Sequence, residues 1–300
     1  MISIATPASL GEGRPGPDGS RRGPAGRGRP EPRRRALRWA VTDSLVLAWR
    51  SLSRIMREPE TLMDVTVQPL MFVLLFTYVF GGAIGLPGGG SYHEYLIGGM
   101  FGIGIAGSAP GTTVALVADM SNGIIDRFRS LPMSRAAVLV GRTGADLLTQ
   151  VLGALVIAVA GLAVGWRIHT SAGEALAGFG LALLFGYAFT WVGVCLAMVL
   201  RSVEAAQQLG FIMFIPLTFI SNAFVPTQGM PGWLQAVANW NPFSAVAAAC
   251  RHLFGNPNPS ALVQVWPMQH PELAVLLWSA LLLVVFAPLA VHLYRRKSLA

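Results

Sequence analysis

The chain has 300 residues, of which 53% are hydrophobic and 12% are charged, and its mean hydropathy is +0.56. Soluble domains carry about 25% charged residues, so this composition excludes an ordinary soluble domain and indicates an all-α polytopic membrane protein. The net charge is +8, but the arginines cluster at the chain ends and in short loops. That placement is typical of membrane orientation rather than of nucleic-acid binding.

The chain begins with a basic segment, residues 1–36, that is rich in Gly, Pro and Arg. Such a composition cannot bury a core, so we expect a disordered tail followed by one membrane domain at 37–297. From Leu37 to Met56 apolar residues recur every three or four positions, with arginines and tryptophans beside them. This pattern is typical of an amphipathic helix lying in the membrane plane. It should end near Glu58, because Pro59 disfavours helix at the preceding residue.

Six apolar stretches follow, each close to the ~20 residues that cross a bilayer core. The second is rich in glycine, which suits close helix–helix contact in lipid, and we expect a kink near Pro110. We predict transmembrane helices at about 62–84, 95–117, 136–164, 175–200, 209–225 and 273–293.

Residues 226–272, between the fifth and sixth spans, contain two apolar pieces that are too short to span, Trp233–Ala238 and Phe243–Leu253. We interpret both as interfacial or re-entrant helices, which occur at membrane depth only when protein buries them or they line water.

The basic residues lie mostly on one side of this predicted arrangement. Only Arg167 and Arg251 fall on the other side, out of 22 Lys and Arg residues. Because cytoplasmic loops carry the excess of Lys and Arg, we expect a multi-pass protein of the cytoplasmic membrane. Both termini should be cytoplasmic, and residues 226–272 should lie outside.

A short amphipathic helix is predicted in the cytoplasmic segment 119–135, between the second and third spans. Ser121 or Asn122 can cap its start, and Pro132 stops it. Four apolar side chains share one face at helical spacing, namely Ile124, Ile125, Phe128 and Leu131. With a span at each end, this helix can act as a lever for a cytoplasmic partner. The alternative is an ordinary interfacial loop held by positive charge.

The motif GIIDRFRSLPMSR, residues 123–135, resembles the coupling helix of ABC type-2 transporter permeases. More narrowly, it resembles the daunorubicin-resistance group of drug and lipid exporters. FISNAFVPTQGMPGWLQAVANWNPFSAV, residues 219–246, looks like the same family's segment after the fifth span. The resemblance covers about Leu37 to Lys297. It implies six transmembrane helices, an N-terminal in-plane helix, a cytoplasmic coupling helix, and extracellular re-entrant helices before the last span.

The resemblance further implies a permease subunit of an ATP-driven exporter for an amphipathic drug, antibiotic, lipid or glycolipid, and hence a role in multidrug efflux. A second permease, identical or related, would complete the pathway within membrane lipid. Cytoplasmic ABC ATPase subunits would carry ATP and Mg²⁺, leaving no cofactor on this chain. The sequence contains no G-x-x-x-x-G-K-[ST] loop, which agrees with a separate motor. Carried over by position, the ATPase contacts would be Asp126, Arg127, Phe128, Arg129, Leu131 and Pro132.

A few polar and ionisable residues lie in or near the predicted spans. Arg142 and Asp146 can pair on one helix face, and we interpret them as a structural ion pair rather than a proton relay, although intramembrane acids are functional candidates. Thr149, Gln150 and Asn222 can hydrogen-bond between helices or line a substrate path, and we favour the structural role for each. The five histidines and two cysteines have no metal-ligand spacing, and no G-x-S-x-G motif is present, so we predict neither a metal site nor a catalytic site.

Two other classes of function remain open on the residues alone. An ion-coupled secondary transporter would need buried ionisable groups, for which Asp146 is the lone candidate. A membrane scaffold without transport activity is the second alternative. A neighbouring gene for an ATP-binding cassette would separate the exporter from both.

Overall fold

The computed structural model describes residues 63–121 and 135–297. Within those ranges the chain forms helices, turns and loops and contains no strand, which confirms the helical class. The basic tail and the in-plane helix predicted before residue 63 lie outside the described residues.

The helices are numbered in chain order. Helix α1 comprises three consecutive segments, π-helical Met63–Val67, α-helical Gln68–Leu75 and π-helical Phe76–Phe80. The other helices of the described ranges are α2 (Tyr92–Ala106), α3 (Ser108–Ser121), α4 (Arg135–Ala163), α5 (Ala172–Val199), α6 (Val203–Phe219), α7 (Gly232–Trp240), α8 (Pro242–Phe254), α9 (Trp266–Gln269) and α10 (Pro271–Lys297).

Four stretches in the described ranges are long and apolar enough to cross a membrane. They are α2 with α3 (Tyr92–Ser121), Thr143–Ala163 of α4, all of α5, and Pro271–Tyr294 of α10. They correspond in position to the second, third, fourth and sixth predicted spans. Two further helical stretches, Thr66–Phe80 and α6, are apolar but shorter. The chain is therefore a multi-pass helical membrane protein.

The fifth apolar stretch forms its helix at a different position from the predicted one. We predicted 209–225, whereas α6 begins at Val203 and ends at Phe219. The earlier start arises because Ser202 caps the helix, its Oγ accepting from the backbone N–H of Ala205 at 3.2 Å. Hydropathy does not detect a polar first turn, and this caused the error.

The first helix also ends before its predicted end. We placed a span at 62–84, but α1 ends at Phe80 and a turn begins at Gly81. The two short apolar pieces between the fifth and sixth predicted spans do form helices, α7 and α8.

Helix α5 lies at the centre of the packing. It contacts α10, α3, α8, α2 and α4, and glycines on its surface permit close approach. A Cβ atom at Gly193 would lie 2.6 Å from the carbonyl oxygen of Ala109 on α3, so only glycine fits there. Helix α8 is wedged between α2, α5 and α10, which places a short helix against three of the long ones. Large apolar side chains on α4, α6 and α10 remain exposed.

Candidate functional site

The predicted coupling residues fall between two described helices. Helix α3 ends at Ser121 and α4 begins at Arg135, so the segment 122–134 connects two long apolar helices. The six predicted ATPase contacts lie outside the described residues, and their role stays a prediction.

The predicted ion pair lies at the start of α4. Arg142 and Asp146 are both in this helix, four residues apart, which is the spacing that the prediction requires. The Arg142 side chain is outside the described residues, so the pair also stays a prediction.

Gln150 on α4 joins three helices through a buried hydrogen-bond network. Its Nε2 donates to the hydroxyls of Ser108 on α3 and Thr190 on α5, at 2.9 Å each. Those hydroxyls in turn donate to the carbonyl oxygens of Ile105 and Gly186, at 3.0 Å each. The predicted hydrogen bonding between helices at Gln150 is therefore confirmed. In an apolar surrounding such bonds fix the relative position of the helices.

A second polar cluster surrounds Arg251, which is fully buried on α8. Its Nε donates to the carbonyl oxygen of Tyr95 on α2 at 2.8 Å. Its Nη2 donates to the carbonyl oxygens of Asn222 and Ala223, at 3.0 and 2.9 Å, and its Nη1 donates to Asn222 Oδ1 at 3.3 Å. The guanidinium carbon lies 3.6 Å from the centre of the Tyr95 ring. One side chain thus binds both α2 and the turn that follows α6.

The positive charge of Arg251 is stabilised by the dipoles of the carbonyl and amide groups that surround it. Its hydrogen-bond acceptors within the described ranges are carbonyl and amide oxygens, and the Tyr95 ring adds a cation–π contact. Burial lowers the pKa of Arg251 from its ordinary value, and Tyr95 opposes that shift. Arginine remains protonated in proteins, so a cation is held here with four hydrogen bonds that offset its desolvation.

Asn222 is the other centre of this cluster and is fully buried. Its backbone N–H donates to Ser244 Oγ on α8 at 2.9 Å, and its Nδ2 donates to Ser260 Oγ at 2.7 Å. Its carbonyl oxygen accepts from the Tyr95 hydroxyl as well as from Arg251. We predicted that Asn222 hydrogen-bonds between helices; it lies instead in the turn after α6, where it binds side chains of α2 and α8.

Two glycines of α2 let this cluster form. A Cβ at Gly98 would lie 2.5 Å from Arg251 Cγ, and a Cβ at Gly99 would lie 2.2 Å from the carbonyl oxygen of Ala223. Both distances are far below a permitted contact, so the glycines of the second stretch serve the close approach that the sequence indicated.

Sequence reasoning treated Arg251 only as one of two basic residues on the outer side. One signal was available, since it follows the apolar run AVAAAC within a short apolar piece. An arginine in such a position must be paired or hydrogen-bonded if the piece is buried. Its partners could not be named, because they come from distant parts of the chain.

Two histidine–glutamate pairs lie close to this cluster, and each joins two different elements. His169, in the α4–α5 loop, lies 2.7 Å from Glu94 of α2, and His252 of α8 lies 2.5 Å from Glu272 of α10. The described part of the chain holds no group of three or more His, Cys, Asp or Glu residues that could bind a metal ion. Each histidine–glutamate pair joins two elements that are distant along the chain.

Comparisons with known proteins find relatives over most of the chain. Residues 42–254 match the family model described as ABC-2 type transporter, a range that includes both the segment 122–134 and Arg251. The chain is 32% identical over 259 residues to the daunorubicin resistance ABC transporter permease protein DrrB1 of Streptomyces coeruleorubidus. That match covers 86% of this chain and 88% of the relative.

Two further relatives carry permease names. The probable doxorubicin resistance ABC transporter permease protein DrrC of Mycobacterium tuberculosis is 26% identical over 269 residues, or 88% of this chain and 92% of that protein. The putative transport permease ycf38 of Porphyra purpurea is 26% identical over 219 residues, or 72% of this chain and 75% of that protein.

Proposed function

The chain belongs to the ABC-2 type transporter family, and from that premise we propose that it moves an amphipathic substrate outward across the cytoplasmic membrane. It is a permease subunit, as its relatives are named. The observation that carries this function is the match to a daunorubicin resistance permease over 86% of the chain. The substrate class is a drug, antibiotic, lipid or glycolipid.

The motor is a separate cytoplasmic ABC ATPase, which binds ATP and Mg²⁺. Permeases of this family work with an ATP-binding subunit, and this sequence has no G-x-x-x-x-G-K-[ST] loop of its own. The ATPase docks on the segment 122–134, through the six residues named above. Supporting this, the segment directly joins α3 and α4, so a force on it reaches two long helices at once.

The membrane domain, 37–297, has six spans and follows the basic segment 1–36. Helices α1 and α6 supply the first and the fifth of these spans. At about 1.5 Å per residue, the 17 residues of α6 reach about 26 Å, which is close to the ~30 Å hydrocarbon core. Helices α7 and α8 are re-entrant or interfacial and lie outside, and both termini are cytoplasmic. A second permease, either a copy of this chain or a related one, forms the other half of the pathway in membrane lipid.

The proposal is tested with inverted membrane vesicles. A tagged copy of the chain is purified from its native cells, and the co-purifying ATPase is then expressed together with it. We expect ATP-dependent accumulation of daunorubicin or a fluorescent lipid that requires both proteins and persists with a protonophore. Accumulation that needs an ion gradient and no ATPase would instead identify a secondary transporter. If no ATPase co-purifies and no tested substrate moves, the scaffold alternative is favoured.

A further inference from the structure

Three separate parts of the chain meet at Arg251. Arg251 belongs to α8. Its guanidinium stacks on the Tyr95 ring of α2 and donates to the Tyr95 carbonyl oxygen. It also donates to two carbonyl oxygens in the turn after α6. These contacts are directional, because the guanidinium presents its N–H groups in a fixed planar fork. An apolar side chain could fill the same space but would allow the three parts to slide. Arg251 therefore specifies one relative position.

The surrounding contacts also resist sliding. The turn 221–224 is bound to α2 a second time, because the Tyr92 hydroxyl donates to the carbonyl oxygen of Phe224 at 3.0 Å. The backbones of α2 and α8 are in close contact further along as well, where a Cβ at Gly102 would lie 2.9 Å from Val246 Cγ1. Closely packed contacts of this kind resist movement of one helix against the other.

The stretch that leads from this cluster to the segment 122–134, in contrast, has a weak point. Helix α2 ends at Ala106 and α3 starts at Ser108, with Gly107 between them. Pro110 has no N–H to donate to the Ala106 carbonyl, so one helical hydrogen bond is missing here. This weak point lies between the part of the molecule around Arg251 and α3, which leads to the segment 122–134.

We infer that Arg251 is a positioning residue that holds α2, α8 and the turn 221–224 together as one rigid unit throughout the transport cycle. Movement between access states then occurs at the boundaries of this unit, such as Gly107, and α8 does not separate from α2. This inference rests on the proposed export function, because a transport cycle is needed to observe it.

A disulfide between α2 and α8 tests the inference directly. The Cβ atoms at positions 102 and 246 would lie 3.2 Å apart, near the ~3.5–4.5 Å of native disulfides. The double variant Gly102→Cys/Val246→Cys also removes the valine methyl group that the new Cβ would meet. The background carries Cys195→Ala and Cys250→Ala, which removes both native thiols.

We expect oxidation to lock this pair while ATP-dependent export continues at the rate of the reduced protein. Export that stops on oxidation and returns on reduction would overturn the inference, since α8 would then have to leave α2. Failure of the disulfide to form in intact membranes would overturn it as well. Absence of export from the cysteine-free background, with the ATPase present, would instead count against the proposed function.

The role of Arg251 is tested by rescue. We expect Arg251→Leu to lower export by about tenfold or more, and the oxidised disulfide to restore it, because a covalent link replaces the lost hydrogen bonds. Arg167→Leu is the matched control, since Arg167 is exposed on the same predicted side and should export normally. If Arg251→Leu does not reach the membrane, Arg251→Lys serves instead, with lowered export restored by the same disulfide. A reduced variant that exports normally, or an oxidised one that stays inactive, contradicts the positioning role.

Discussion

Individual glycines and polar side chains fix the helix contacts of this protein. Gly186 on α5 is the sharpest example, because a Cβ there would lie 2.4 Å from Ile105 Cγ2 and 3.0 Å from Gln150 Oε1. The glycine and the Gln150 network thus both depend on the close approach of α4 and α5, and Gly186 also lets α2 approach through Ile105. In lipid, where apolar burial does not drive helix association, such packing and hydrogen bonding supply the stability.

We predict that Gly186→Ala destabilises the fold, whereas Gly180→Ala on the same helix does not. An added methyl at position 186 forces Ile105 and Gln150 aside, at a cost of about 1–3 kcal/mol. Position 180 has open space around it, so alanine there should be neutral or slightly stabilising. Thermal unfolding of the detergent-purified variants measures both effects. Equal midpoints for the two variants would contradict the close packing around Gln150.

At the scale of helices, the sequence predicted the positions of four long apolar stretches and of α7 and α8, because hydropathy and apolar run length report them directly. The stretch in which we expected a kink near Pro110 is divided into two helices at Gly107, and the kink itself stays a prediction. The sequence misplaced α6 by six residues at its start, because the Ser202 cap precedes the apolar run. It also could not foresee the Arg251 cluster, whose acceptors lie 28 to 156 residues away along the chain. Only tertiary packing brings those carbonyl groups together.

We predict that Phe128→Ala and Arg129→Glu uncouple ATP hydrolysis from export without lowering membrane abundance. Phe128 can fill a pocket on the ATPase, and truncating such an aromatic anchor costs about 2 kcal/mol or more. Charge reversal at Arg129 should repel the surface that the arginine attracts. Export and ATPase activity are measured in the same vesicles.

Arg201→Glu provides the matched control for this experiment. It reverses an exposed charge in the loop between α5 and α6, which is also predicted to be cytoplasmic. We expect near-normal export from it. Normal export from both Phe128→Ala and Arg129→Glu would mean that the segment 122–134 is only an interfacial loop.

For the whole molecule, a permease whose ATPase is a separate protein should not bind nucleotide by itself. The purified chain should bind no ATP on its own, because it lacks the loop whose lysine reaches the phosphates. Equilibrium dialysis with labelled ATP and Mg²⁺ measures this, and adding the ATPase subunit should restore binding. Stoichiometric binding to the isolated chain would refute the two-polypeptide arrangement.

We predict the orientation of the whole molecule from the uneven distribution of its basic residues, and labelling in intact cells tests it. Cys195 and Cys250 are both buried, so they contribute little background. We expect a membrane-impermeant thiol reagent to label Gly229→Cys, because Gly229 is exposed in the segment between α6 and α10 that is predicted to lie outside. Arg127→Cys and Lys297→Cys should be labelled only after the cells are permeabilised. Labelling of the last two variants, with protection of the first, would invert the topology and remove the segment 122–134 from the reach of a cytoplasmic ATPase.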